Sequence, residues 1–230
     1  MKDSLGDRIK GYESVTRNYA VRRMPLMIRV DGKAFHTFTR DFEKPFCDHL
    51  IKAMVQAAYK TACEMQGFKA AYVQSDEATF LITDYDGINT EGWFRYNLQK
   101  IVSLSAAYMT VYFKHYGCWD LKCPVFDSRA FNIPREDVVN AFLWRAKDWE
   151  RNSLQMFARA HFSHKELHQK NREDMHEMLH GIGKNWATDT KEQHRNGTFI
   201  IKEDDGHRIR TDILPTYQSI AEVLDPMIHV

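Results

Sequence analysis

The stretch Met27-Ile-Arg-Val-Asp-Gly-Lys-Ala-Phe-His36 decides how the fold of this chain is organised. The apolar run from Leu26 to Val30 predicts a buried strand, and the pair Asp31-Gly32 ends it. An acidic residue at the end of a core strand is held rigidly, and a glycine lets the backbone approach a ligand closely. An ordinary strand followed by an Asx-type turn has the same pattern, so a second acidic residue is needed to choose between the two.

The composition is typical of a soluble globular protein, with 43% hydrophobic and 27% charged residues in a chain of 230. That length allows one large domain, or one domain with a helical extension. Residues 1–8 have no apolar signal core and no run approaches a membrane span, which predicts a cytoplasmic protein without membrane contact. Reduced thiols are expected, because no Cys-x-x-Cys pair occurs among Cys47, Cys63, Cys118 and Cys123.

The net charge of +1 does not by itself indicate a nucleic-acid partner. Residues 1–44 are locally basic, with ten Lys and Arg against six Asp and Glu. This excess could contact phosphate groups, although a solvated charged face is the commoner origin of such a pattern. Charge alone therefore leaves the partner open.

Hydrophobic periodicity predicts an alternation of helices and strands in the first part of the chain. The predicted elements are a helix over 4–23, a strand over 26–31, a helix over 46–65 capped by Gly67, strands over 70–73 and 78–82, a helix over 91–115 and a strand over 123–131. After the first helix the order is strand, helix, strand, strand, helix, strand, which is the split βαβ pattern. We therefore predict an α/β (α+β) fold with an antiparallel ferredoxin-like sheet.

A second acidic residue, Asp76, lies in the predicted tight turn Gln74-Ser-Asp-Glu77 between the second and third strands. In this topology the turn and the end of the first strand share one edge of the sheet, so Asp31 and Asp76 become neighbours. Two adjacent carboxylates repel each other unless a cation lies between them. Mg²⁺ is bound by one or two carboxylates together with substrate phosphates, so the pair predicts metal-assisted phosphoryl or nucleotidyl transfer on a palm-like sheet. A ferredoxin-like binding module whose acidic residues only cap turns is the alternative.

Beyond Pro134 the sequence predicts helices and a late hairpin. A long helix is expected over 135–162 and a shorter one over 174–179, and Asn196-Gly197 precedes a hairpin formed by 198–201 and 207–210. We expect this hairpin to be slightly separated from the palm-like sheet. The predicted division is a palm-like catalytic domain, residues 1–134, and a helical and hairpin part, residues 135–230, packed on it.

Eight short motifs follow one another along the chain. Within residues 1–134 they are Arg29-Val-Asp-Gly-Lys-Ala-Phe-His36, Phe42-Glu-Lys-Pro45, Gln74-Ser-Asp-Glu77 and Phe126-Asp-Ser-Arg129. In the second half they are Trp144-Arg-Ala-Lys-Asp148, Arg151-Asn-Ser153, Phe162-Ser-His-Lys-Glu-Leu-His168 and Gly183-Lys-Asn-Trp186. In this order they resemble the tRNA-His guanylyltransferase superfamily, whose members add nucleotides to the 5′ end of tRNA. Each motif alone is weak, but their order is specific and the matches reach about residue 201.

The resemblance implies a polymerase-like palm that extends a strand in the 3′–5′ direction. The 5′ end of tRNA, activated by ATP or present as a triphosphate, is attacked by the 3′-hydroxyl of an incoming nucleotide. Two Mg²⁺ ions are implied, held by the carboxylates of Asp31 and Asp76 and by the Gly32 carbonyl. Glu77 is either a nearby outer-shell acid or a residue that only solvates the turn. GTP, ATP or other nucleoside triphosphates are the implied substrates, bound by Asp31, Gly32, Lys33, Ala34, Phe35, His36, Lys44, Ser75 and Asp76.

One departure from the family bears on the reaction. Eukaryotic members carry His-Ile-Asn-Asn where this chain has Glu150-Arg-Asn-Ser153, and the Arg-Asn-Ser form resembles the bacterial and archaeal guanylyltransferase-like branch. That branch implies template-dependent repair of 5′-truncated tRNAs, with addition of G at position −1 of tRNA-His as the second interpretation. A non-catalytic RNA- or nucleotide-binding module and a nucleotide cyclase-like enzyme on a similar palm are further alternatives.

The resemblance also implies a homotetramer, a dimer of dimers, because a tRNA would have to span more than one subunit. In it the C-terminal part contributes to RNA binding and oligomerisation. A weaker set of RNA-binding or second-nucleotide residues comprises Arg29, Asn152, Lys165, Lys170 and Asn171. We expect Trp144, Trp149 and Trp186 to be packed in the interior rather than stacked on bases. Two interpretations are open for Asp127 and Arg129: they form a structural pair on the sheet, or Arg129 reaches RNA; the sequence does not decide between them.

Overall fold

The computed structural model describes residues 4–119, 124–204 and 206–228. Within these ranges the strands are β1 (Leu26–Gly32), β2 (Phe68–Gln74), β3 (Glu77–Ile82), β4 (Phe126–Asn132), β5 (Thr198–Glu203) and β6 (Gly206–Arg210). They form one antiparallel sheet in the order β4-β1-β3-β2-β5-β6. The first four strands have the ferredoxin-like arrangement, which confirms the predicted fold class.

Helices lie on both faces of this sheet. Over the same ranges they are α1 (Ser4–Val15), α2 (Phe35–Phe38), α3 (Asp48–Cys63), α4 (Leu98–Gly117), α5 (Val138–Arg159), α6 (Arg172–Gly181), α7 (Trp186–Asp189), α8 (Glu192–Asn196) and α9 (Tyr217–Ile228). Short 3₁₀ turns at Trp93–Tyr96 and Arg135–Asp137 precede α4 and α5. The helices predicted over 135–162 and 174–179 correspond to α5 and α6.

Each face of the sheet has its own apolar core. On one face Leu26, Ile28 and Val30 of β1 pack with α3 and α4. On the other face Met27 packs with α5, α6 and α9. Successive side chains of a strand point to opposite faces, so the apolar run of β1 contributes to both cores. This two-sided burial holds the end of β1, and therefore Asp31, in a fixed position.

Three predicted helix boundaries were wrong. α1 ends at Val15 rather than at residue 23, and none of its side chains is buried. The C-cap of α3 is Glu64, so Gly67 does not cap that helix; it lies in the turn before β2 with a φ of 77°. α4 begins at Leu98 rather than at residue 91, because residues 94–96 have positive φ angles that a right-handed helix cannot include.

The late hairpin belongs to the main sheet and is not separated from it, which corrects the prediction. β5 pairs with β2 from Ala70 opposite Ile201 to Val73 opposite Thr198. The run Thr198-Phe-Ile-Ile201 is buried on both faces, as it must be when an apolar strand lies between two helical layers. α9, which the sequence analysis did not predict, packs on the same core. The division of the chain at residue 134 stays a prediction, and β5 and β6 lie beyond it.

No helix in the described part of the chain is both long and apolar enough to cross a membrane.

The cysteines in the described ranges, Cys47, Cys63 and Cys118, are free thiols, as predicted. Cys123, which also opens the predicted strand over 123–131, lies outside those ranges.

Candidate active site

Asp31 and Asp76 lie at the same edge of the sheet. Asp31 stands near the end of β1, opposite Glu77 of β3 in the antiparallel register. Asp76 lies in the two-residue turn between β2 and β3, and its carbonyl oxygen accepts a hydrogen bond from the Gly32 N–H at 3.0 Å. On the other side of β1, Asp31 is opposite Asp127 of β4. The fold therefore gathers four acidic residues at this edge.

The turn after β1 has backbone N–H groups that are free to bind an anion. Gly32 is needed here, because an added Cβ atom would lie 2.1 Å from the Phe35 ring. The N–H groups of Gly32 and Lys33 donate to other parts of the backbone. Those of Ala34, Phe35 and His36 have no acceptor among the described residues, and Ala34 has a φ of 54°. Successive free N–H groups in such a turn form a concavity that suits a phosphate group.

Two adjoining clefts open at this edge and meet at Asp76. The first, between the sheet edge and α5, has a volume of about 350 Å³ and is lined by Asp31, Gln74, Ser75, Asp76, Glu77, Arg145, Asp148, Trp149, Asn152, Gln155, Met156 and Arg159. The second, of about 230 Å³, is lined by Phe35, His36, Thr39, Phe42, Glu43, Lys44, Pro45, Cys47, Leu50, Ser75, Asp76 and Met156. Ser75, Asp76 and Met156 line both clefts, so molecules bound in the two clefts would meet at the β2–β3 turn.

Two cations in the clefts have no acidic partner in the described ranges. Lys44 lines the second cleft, and its Nζ atom donates to the Thr39 carbonyl at 2.9 Å. Arg159 lines the first cleft near the end of α5. Cations without a carboxylate partner are suited to charge-assisted hydrogen bonds with phosphate groups.

Burial destabilises the charged forms of Asp31 and Asp76. Burial raises the pKa of Asp31, and the negative charge of Asp127 raises it further, while nearby arginines lower it. Burial is also the main cause of the raised pKa of Asp76, opposed by a hydrogen bond from Ser75. The protein's own cations therefore leave part of this negative charge uncompensated.

This donor set fits Mg²⁺. The ion prefers oxygen ligands and is usually held by one or two carboxylates, with phosphate groups and waters completing the shell. No cluster of three His, Cys, Asp or Glu side chains in the described residues could hold a metal ion by itself. A bound ion would therefore depend on substrate phosphates in addition to Asp31 and Asp76.

Glu77 differs from the aspartates because it is engaged in an ion pair. Its carboxylate accepts hydrogen bonds from Nε and Nη2 of Arg145 at 2.7 and 3.0 Å, and both side chains are only 12% exposed. Arg145 also donates to Asp148 at 3.3 Å, and Arg29 lies 3.9 Å from Glu77. A carboxylate paired in this way is less available to a metal ion, which favours an outer role for Glu77.

Several cleft residues on α5 were not predicted to be site residues, although two of them belong to the motif Trp144-Arg-Ala-Lys-Asp148. Arg145, Asp148, Gln155 and Arg159 join Asn152 along one wall of the first cleft. Their spacing of three or four residues places them on the same face of the helix. This polar stripe on a helix with an apolar opposite face was the signal that could have identified them.

The tryptophans do not all lie where the sequence analysis placed them. Trp149 and Trp186 are buried, as predicted, whereas Trp144 is 59% exposed, so interior packing was the wrong prediction for it. Of the two alternatives for Asp127 and Arg129, the ion pair is present, at 3.1 Å.

The weaker predicted set is dispersed. Asn152 lines the first cleft, and its Nδ2 atom donates to Asp148 at 3.4 Å. Lys165 and Lys170 are exposed and line neither cleft. Asn171 is the N-cap of α6, where it exchanges hydrogen bonds with Asp174. Its side chain therefore has a structural role that the sequence analysis did not foresee.

Asp76→Asn is expected to stabilise the metal-free protein. The raised pKa of Asp76 means that ionisation of this carboxyl group at neutral pH destabilises the folded state. An amide removes the charge, so we expect the free energy of unfolding at pH 7 to rise by roughly 0.5–2 kcal/mol. The gain should shrink as the pH falls through the folded-state pKa, because the wild-type carboxyl group is then neutral too. Urea denaturation in EDTA across this pH range measures it, and a loss of stability at pH 7 would contradict the reasoning.

Comparisons with known proteins agree with this architecture. A family model described as tRNAHis guanylyltransferase (Thg1) matches residues 6–134. The solved structure of a bacterial tRNA(His) guanylyltransferase (Thg1)-like protein in complex with ATP is 36% identical, with a TM-score of 0.92 over 99% of this chain and 100% of that chain. A bacterial Thg1-like protein in complex with GTP is 34% identical, with a TM-score of 0.86 over the same shares.

A curated relative from Schizosaccharomyces pombe, a tRNA(His) guanylyltransferase, is 33% identical over 162 residues. The alignment covers 67% of this chain and 59% of that relative. The chain thus spans less than two thirds of the yeast protein, but the whole of the bacterial ones.

Proposed function

We propose a function from one premise: this chain belongs to the tRNAHis guanylyltransferase family. Members of this family are nucleotidyltransferases that act on tRNA, and this chain belongs to that class of enzyme. Its proposed reaction is Mg²⁺-dependent addition of nucleotides, in the 3′–5′ direction, to the 5′ end of tRNA. The single observation that carries this proposal is the junction of two clefts at Asp76, beside Asp31.

Two clefts are what such a reaction requires. Transfer joins two reactants, a nucleoside triphosphate and an RNA 5′ end, and each needs its own binding surface at one reacting point. The second cleft suits the triphosphate, because it contains Lys44 and adjoins the free N–H groups of residues 34–36. The first cleft, walled by α5, is then left for the RNA end.

The residues at the junction have distinct proposed roles. Asp31, Asp76 and the Gly32 carbonyl would hold Mg²⁺, which supplies a lowered pKa at the attacking 3′-hydroxyl and neutralises phosphate charge. Lys44 and the backbone of residues 34–36 would bind the triphosphate. Ser75 orients the Asp76 carboxylate through its hydrogen bond. Arg145 holds Glu77 away from the metal site, which leaves two carboxylates for the ion.

We place template-dependent repair of 5′-truncated tRNA first. One support is the similarity to bacterial guanylyltransferase-like proteins over the whole chain. Another is the Arg151-Asn-Ser153 segment, in which Ser153 donates to the His194 carbonyl at 2.5 Å and accepts from Trp186 Nε1 at 3.0 Å. This buried bonding fixes α5 and turns Asn152 into the first cleft. Addition of G at position −1 of tRNA-His is the second candidate, supported by the similarity to the S. pombe enzyme.

The test is extension of a labelled tRNA that lacks its first nucleotide. Each NTP is supplied singly with Mg²⁺, on RNAs that carry either a triphosphate or an ATP-activated monophosphate end, and the base opposite the gap is varied. Addition of only the complementary NTP is the expected result. Addition of G regardless of the opposite base would instead favour the tRNA-His reaction. No addition to either end would overturn the proposed activity.

We also propose that copies of this chain assemble, as a homotetramer. α1 supports this, because its apolar residues Leu5, Ile9, Tyr12 and Val15 are exposed and none of its side chains is buried. Their spacing of three or four residues forms one stripe along the helix, which suits a partner surface. Light scattering on the purified protein gives the mass directly.

A further inference from the structure

Trp144 is an exposed aromatic residue for which the proposed reaction has not yet assigned a role. It lies on α5 and is 59% exposed. The Arg145 guanidinium lies 4.6 Å from the centre of its ring, and that of Arg29 lies 5.9 Å away. A large indole held at the surface by two arginines is unusual, since tryptophans of globular proteins are largely buried.

The ring belongs to an open patch at the β4 edge of the sheet. Arg29 of β1 is opposite Arg129 of β4, and Met27 is opposite Phe131, so these side chains share the α5 face of the sheet. Phe131 is itself exposed, and the Arg129 side chain is half exposed. Arg29, whose side chain is 21% exposed, thus lies between the Trp144 ring on α5 and the exposed Arg129 and Phe131 of β4.

This patch lies close to Asp31, beside the junction of the two clefts. Arg29 and Asp31 are two residues apart on β1 and point to the same face, which separates them by about 7 Å. A molecule that binds at Asp31 can therefore extend along this face to Arg29 and the ring of Trp144. Single-stranded RNA is bound on such surfaces, where aromatic rings stack on bases and arginines contact phosphates or base planes.

We propose that Trp144 stacks on the unpaired base that lies opposite the reacting 5′ end of the RNA substrate, with Arg29 and Arg129 contacting the adjoining phosphates. The inference rests on the proposed function, because it takes an RNA end as the substrate at Asp31. It assigns the patch a ligand of defined chemistry, an unpaired nucleobase. It also explains why an indole is exposed next to two arginines at the surface.

The test is a binding cycle in the absence of NTP. A tRNA transcript lacking its first nucleotide is labelled at its 3′ end and prepared with either the normal base or an abasic residue opposite the gap. Fluorescence anisotropy then gives the affinity of the wild type, Trp144→Ala and Trp144→Phe for each RNA. Tyr217→Ala, which removes another exposed ring (51% exposed) from α9, is the matched control.

We expect the abasic RNA to bind the wild type about tenfold more weakly than the normal RNA. Trp144→Ala should bind the normal RNA about tenfold more weakly than the wild type and should not distinguish the two RNAs. Trp144→Phe should retain part of the discrimination, and Tyr217→Ala all of it. An undiminished abasic effect in Trp144→Ala would overturn the proposal.

A second measurement tests whether the patch binds another copy of this chain instead of RNA. If Trp144→Ala lowers the mass found by light scattering, the patch is a subunit contact and the stacking proposal fails. An unchanged mass together with the loss of abasic discrimination supports it. The binding measurements use no NTP and are therefore independent of catalysis. If the wild type added no nucleotide, the proposed function would fail, but the effect of Trp144→Ala on RNA binding could still be interpreted.

Discussion

Asp76→Asn is expected to lower the rate of nucleotidyl transfer by at least about 10³-fold, because a metal ion that polarises the reacting groups contributes several kcal/mol to transition-state stabilisation. The amide keeps the shape of the side chain but loses the charge that would hold the ion. Burial and the negative charge of Asp31 raise the pKa of Asp76 in the wild type, so a bound cation would stabilise the charged carboxylate. Single-turnover extension of the truncated tRNA with the complementary NTP measures the loss.

The matched control is Asp127→Asn. Asp127 is the cross-strand neighbour of Asp31 but lines neither cleft and forms an exposed ion pair with Arg129. We expect this variant to change the rate by no more than about threefold, as for other exposed pairs. Because Asp76→Asn should be at least as stable as the wild type, unfolding would not account for its inactivity. Near wild-type transfer by Asp76→Asn would end the assignment of this residue to the metal site.

Arg145→Met is expected to destabilise the protein by about 1–3 kcal/mol, because the Glu77 carboxylate loses two charge-assisted hydrogen bonds and keeps only the longer ion pair with Arg29. The two hydrogen bonds from Arg145 neutralise Glu77 in a position where both side chains are only 12% exposed. Arg29, at 3.9 Å, still pairs with Glu77 but lies beyond hydrogen-bond distance of it. Urea denaturation monitored by circular dichroism gives the free energy of unfolding.

Two further variants locate the cause of that loss. Arg151→Ala removes another arginine of α5, which pairs with Asp148 but is 65% exposed, and should cost less than about 1 kcal/mol. Combining Arg145→Met with Glu77→Gln should recover most of the lost stability, since position 77 then carries no charge to compensate. If the double variant is as unstable as Arg145→Met alone, packing of the arginine rather than its charge is responsible.

The part of the fold predicted from sequence is the part whose pattern is local. β1 and the β2–β3 hairpin are apolar runs around short polar turns, and α5 has a long amphipathic period. The late start of α4 was not predicted, because Phe, Arg and Tyr at positions 94–96 have no local signal for positive φ angles. The placement of β5 was missed for a different reason: its partner, β2, lies far away in the sequence.

The candidate site divides in the same way. The proximity of Asp31 and Asp76 could be predicted, because the βαββαβ order alone places the end of β1 and the β2–β3 turn at one edge of the sheet. The position of Arg145 could not be predicted, since its contact with Glu77 depends on how α5 packs on the sheet. Trp144 was assigned to the interior because a helix period does not show which flank extends beyond the sheet.

The pairing of β5 with β2 also has a consequence during protein synthesis. A nascent chain that has left the ribosome only as far as residue 134 contains β1 to β4 but not the strand that covers β2. The apolar segment from Ala70 to Val73 is then an open edge, of the kind through which neighbouring chains join into aggregates. On a polysome, the emergence of residues 198–201 closes that edge, so a segment made late protects an earlier strand from other copies.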